Sequence, residues 1–174
     1  MKYVLTNRTE RIVWGGEWIT LYAIKAARDI PRFHVEAGDI GGFVQSEANL
    51  SQDGDAWIEY GAKVYENALV SENALVGGYS KVAGNAKIFG NAKLRDHAEI
   101  CDNAKIFGNA IVEAATIRSD AQVYEDARVC GNVDVCYNAK VHGRAKVESS
   151  VWIGFGSTQI GKDRDLTESF YDHS

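Results

Sequence analysis

Four histidines, three cysteines and a few paired acids are the residues of this 174-residue chain best suited to chemistry. His97 and His142 lie in the regular middle of the sequence and are able to accept a proton as general bases. His34 and His173 fall outside it. Cys101, Cys130 and Cys136 show no Cys-x-x-Cys spacing, so no metal site is expected. Acidic pairs such as Glu125-Asp126, or Asp53 with Asp55, sit among turn formers and read as corner residues rather than paired general acids. The glycine-rich turns follow no phosphate-binding pattern. No metal and no cofactor is therefore expected, and the catalytic candidates reduce to His97 and His142.

The elements that position these residues are written in a repeat. Between Ala56 and Ile153 a three-residue unit occurs seventeen times: a small residue, an outward residue, then Val, Ile or Leu. Ala86-Lys87-Ile88, Ala92-Lys93-Leu94 and Ala98-Glu99-Ile100 are three consecutive copies. The spacing is six residues at every step except Ala110 to Ala115, where it is five. Such a unit is a short strand with both ends turned inward. Pairs such as Gly84-Asn85, Gly108-Asn109 and Glu125-Asp126 supply corners that need positive φ. Three strands and three corners make an 18-residue coil, and coils stack at about 4.8 Å. A hexapeptide period of this kind marks a β-helix. The fold class expected is all-β: a single-stranded parallel β-helix of about six triangular coils with an N-terminal β cap.

The unit is similar to that of the left-handed parallel β-helix in hexapeptide-repeat proteins, and the left hand is taken from that resemblance alone. A second resemblance rests on Val35-Glu36-Ala37-Gly38-Asp39-Ile40-Gly41-Gly42-Phe43-Val44 and on Asn49-Leu50-Ser51-Gln52-Asp53-Gly54-Asp55-Ala56-Trp57-Ile58. These stretches resemble the entry segment of YdcK-like proteins and their phage and prophage relatives, which continue into long Gly-Asn-Ala arrays. That family is labelled as transferases without catalytic residues that carry over to this chain. Hexapeptide-repeat acyltransferases use a histidine in a cleft between trimer subunits, with a long loop extruded from the coils. This array has no inserted loop to close over an acyl donor, and its one irregularity is a deletion at Glu113-Ala114.

The division expected is a β cap over 1–45, the β-helix over 46–154 and a C-terminal cap or tail over 155–174. Within the cap, 2–5, 11–14 and 17–23 read as strands around a Gly15-Gly16 hairpin turn. A cap is needed because an uncovered end exposes strand edges and an apolar core. Pro31, the only proline, lies outside the array. No apolar run is long enough to span a membrane, and no signal-peptide stretch opens the chain, so a cytoplasmic location is expected. Nucleic acid is not an expected partner. The net charge is −5, and residues 46–82 carry six acids against two bases.

Folding the repeat onto three faces stacks Phe89, Phe107, Tyr124 and His142 along one edge, with Lys87 and Lys105 beside them. This column is the candidate contact surface, for a homo-oligomer (dimer or trimer) or for a host protein. Trp57, Leu75, Lys93 and Ile111 form a second outward column and a second interface candidate. The function expected is a non-catalytic β-helix scaffold acting through its surface, the alternative being an acyltransferase-like enzyme with its site between subunits.

Overall fold

The computed structural model describes residues 1–148, 150–154, 159–161 and 165–166. It is a parallel β-solenoid of about six turns, preceded by an antiparallel hairpin. Each coil contributes one short strand to each of three faces. Among the described residues these faces hold nine, seven and six strands. The inward residues follow the repeat: Ile88, Ile106 and Val123 are mutual cross-strand partners and fully buried. Alanine at one inward site and a branched aliphatic at the other together fill a narrow prism. The five-residue step gives one 17-residue coil, and Ala114 absorbs the missing residue with φ 49°.

The hairpin consists of β1 (Tyr3–Trp14) and β2 (Glu17–Ala26), joined by Gly15 and Gly16 at φ 57° and 85°. Two positive φ values in a two-residue loop suit the right-handed twist of the strands, and glycine adopts them without strain. β3 (Ile40–Val44) pairs antiparallel with β2 and parallel with Lys63–Val64, joining the hairpin to the nine-stranded face. The register of β1 on β2 shifts between Leu5 and Thr9. On the early side of that shift, Tyr3, Ile24 and Ala26 close the open end of the core. Tyr3 donates its hydroxyl to the carbonyls of Glu47 and Leu50, at 3.0 and 2.8 Å. Beyond it, Ile12, Ile19 and Leu21 lie against the outside of the face, packing with Phe43, Tyr65, Ala83 and Cys101. The N-terminal segment is thus both lid and side clasp.

Two sequence expectations change here. Trp57 was expected outward and exposed. It is only 2 % exposed, because it belongs to one buried cluster with Tyr3, Ile24, Ile30 and Val35. Gly41 lies directly against its indole. Leu75 is partly buried against the same cluster, so the second interface candidate loses Trp57 and part of Leu75 to the core, while Lys93 and Ile111 remain partly exposed. The ladders also run past residue 154. Gln159–Ile160 and Asp165–Leu166 pair with Lys140–Val141 and Lys146–Val147 at an offset of 19 residues. The rest of the expected C-terminal cap or tail lies outside the described residues.

Candidate functional site

Stacking identical coils turns each corner into a column of side chains, and the three columns differ in chemistry. The corner after the six-stranded face carries the rings. Phe89, Phe107, Tyr124 and His142 stack with centroids 4.9, 4.9 and 5.1 Å apart and planes within 7° of parallel. The coil spacing fixes this distance. Gly161 ends the column, its backbone set against the His142 ring. Each ring is half-buried, because its neighbours cover its faces and leave its rim outward. Lys87 and Lys105 project beside the rings, exposed and directly opposite each other across the ladder. Neither forms an ion pair among the described residues. On the other flank stand Glu72, Glu125 and Asp126, all exposed.

The corner after the seven-stranded face carries His97. Its ring stacks on Tyr79 at 5.6 Å and 16°, with both residues at positive φ. The structure therefore holds the two catalytic candidates on different corners. His142 comes within 3.8 Å of a Glu125 carboxylate oxygen through Nδ1. That carboxylate also accepts the Gly143 N–H at 2.7 Å, which fits the corner role expected of Glu125.

The corner after the nine-stranded face holds Tyr65, Ala83, Cys101, Arg118 and Cys136. Arg118 grips Asp134 with Nε and a terminal nitrogen at 3.1 and 2.9 Å. Burial pushes the Cys101 thiol up to about 11 and raises those of Cys130 and Cys136. Thiols held protonated are poor nucleophiles and poor metal ligands at neutral pH. All three cysteines are free, and among the described residues no group of three His, Cys, Asp or Glu converges as a metal site.

Beside two of these columns run amide ladders that were not anticipated. Asn67 donates to Asn85, Asn85 to Asn103 and Asn103 to the Asp120 carboxylate, at 3.2, 3.1 and 3.1 Å. Asn73, Asn91, Asn109 and Asp126 repeat the arrangement one corner on. A carboxylate only accepts, so each ladder has a direction and a terminus. The signal was present as asparagine every 18 residues, but it was read as turn preference alone. No protein-family model matches the chain, and no curated protein does.

Proposed function

We propose that the protein is a non-catalytic β-solenoid scaffold that works by binding along the Phe89–Phe107–Tyr124 edge, with a second copy of itself as the first partner. The observation that carries this reading is the paired cations beside the ring column. Like charges directly opposite each other on adjacent strands repel. Lys87 and Lys105 accept that arrangement, and among the described residues neither pairs with a carboxylate. An acidic group from a partner would relieve it. This chain carries such groups across the same edge, at Glu72, Glu125 and Asp126. A two-fold axis parallel to the solenoid axis sets the lysine flank of one copy against the acidic flank of the other, with ring rims between them. Such self-complementarity is what an isologous dimer needs.

The resemblance to YdcK-like and phage proteins extends the reading to a host protein that docks on the same edge. The acyltransferase alternative finds no specific observation in its favour. His97 and His142 are stacked on separate corners. Among the described residues no helix is long and apolar enough to cross a membrane. The test is charge reversal with Lys87→Glu and Lys105→Glu, read by sedimentation. The self-associated species should weaken in the variant, and wild-type association should weaken as salt is raised. Association unchanged in the variant would refute the edge as the contact. Micromolar binding of acetyl-coenzyme A, lost on His97→Ala or His142→Ala, would favour the enzyme.

A further inference from the structure

The hairpin tip creates a second feature, on a different corner from the ring column. Trp14, the last residue of β1, is carried by the clasp to the corner after the nine-stranded face. There its indole meets Tyr65 edge-on at 5.2 Å and 74° and remains 37 % exposed. It lines an open cavity of about 570 Å³ together with Glu66, Gly84, Asn85, Asp102, Asn103 and Ser119. These residues arrive one coil at a time, so the polar groups repeat along the cavity at about the strand spacing of ~4.8 Å.

The hydrogen-bonding capacity left over indicates the ligand. Asn85 and Asn103 each use one amide N–H in the ladder, and among the described residues the other has no acceptor. Glu66 and Asp102 each accept one backbone N–H, from Gly84 and Ser119 at 2.7 and 2.8 Å. The second oxygen of each carboxylate has no protein donor among the described residues. The lining therefore offers both donors and acceptors together with an aromatic ring. A simple organic cation would pair with the carboxylates and the indole face but would leave the remaining amide N–H groups of Asn85 and Asn103 without an acceptor. An anion would meet two carboxylates and no lysine or arginine in the lining. A neutral sugar satisfies both kinds of group, because each hydroxyl donates and accepts while its C–H face covers an indole. We propose that this cavity binds a neutral carbohydrate, with one ring seated on Trp14 and its hydroxyls on the Asn85–Asn103 and Glu66–Asp102 rungs.

The experiment is a printed array of uncharged oligosaccharides probed with the full chain, followed by calorimetry of the retained sugar. Trp14→Ala should weaken binding about tenfold or more. Asn103→Ala, an exposed change that leaves the core untouched, should do the same with an unaltered circular dichroism spectrum. Phe89→Ser with Phe107→Ser should leave sugar affinity unchanged, which separates this site from the proposed protein contact. Retention of no uncharged sugar would overturn the proposal. So would full affinity in the Asn103→Ala variant, or binding of spermidine that Trp14→Ala or Asp102→Asn abolishes.

Discussion

At the scale of single residues, the interior tolerates little change. Ile106 is fully buried between Ile88 and Val123 on one face of the prism. Ile106→Ala leaves a void that rigid neighbouring coils cannot collapse, and it should cost about 2–5 kcal/mol in chemical denaturation. An unchanged midpoint would contradict the register. Lys2 is the opposite case. Its Nζ is buried without a hydrogen-bond partner among the described residues, and desolvation, followed by the nearby Arg28, lowers its pKa from 10.5 to about 8. Between those two values the unfolded chain holds a proton that the native chain has released, so this group makes stability rise with pH across that window. Below it, the native state carries the whole cost of a buried ammonium. Lys2→Met should therefore melt higher than wild type near pH ~7, by several degrees on the scale of about 2–4 °C per kcal/mol. The gap should close as the pH approaches 10.5. Tyr3, which burial raises to about 12, works against the wild type and the variant alike above pH 10. A gap that persists unchanged across the window would show that the Lys2 amine is solvated.

At the scale of elements, the clasp and the corner columns decide what the solenoid can do. β1 begins at the end of the core, and its tip reaches the third coil of the corner column, where Ile12 and Ile19 pack near Cys101. Ties along its length hold it: Gln52 Oε1 accepts the Lys2 N–H at 2.8 Å, the Tyr3 hydroxyl reaches Glu47 and Leu50, Arg8 donates to the Tyr60 hydroxyl at 3.0 Å, Lys63 pairs with Glu10, and Trp14 meets Tyr65. Removing residues 1–26 uncovers the β3 edge and the end of the apolar prism together. Unpaired edges template further strands. The truncated chain should form concentration-dependent end-to-end assemblies in light scattering, and a truncation that stays monomeric would deny the capping role. The strands of the array were legible because small–outward–aliphatic units tolerate only one inward register. The clasp was not. A twelve-residue strand with a register shift and a turn of two glycines gives no sign of which outer surface it will lie on. The coverage of Trp57 was hidden for the same reason, since a burial that depends on residues far apart in the chain leaves no periodic trace. The strands at Gln159 and Asp165 escaped because their offset is 19 residues and the small residue of the unit is replaced by Thr158 and Arg164.

At the scale of the whole molecule, a single rule produces three different corners. The coil repeat brings residue i to residue i+18, so any side chain present in several coils becomes a column. Rings become a stack, amides become a hydrogen-bonded chain, and carboxylates at positive φ reach the backbone of the next coil, as Glu72 does to Gly90 at 3.0 Å. The positions of the columns were legible as arithmetic. Their energetics were not. Phe89, Phe107 and Tyr124 looked like exposed apolar surface, yet stacking hides their faces, and the large aromatic side chains that are exposed include Trp14, Trp18, Tyr60, Tyr79 and Tyr137. The ring edge is a narrow strip between opposite charges rather than a broad apolar patch. The most direct test is the solution mass of the wild type beside the Phe89→Ser, Phe107→Ser double variant, by native mass spectrometry across a dilution series. The expected result is a wild-type dimer that the double variant loses, by about 2 kcal/mol or more of association free energy, with the β-sheet spectrum retained. A wild type that is monomeric at all concentrations, or a double variant with the same mass, would contradict self-association through this edge.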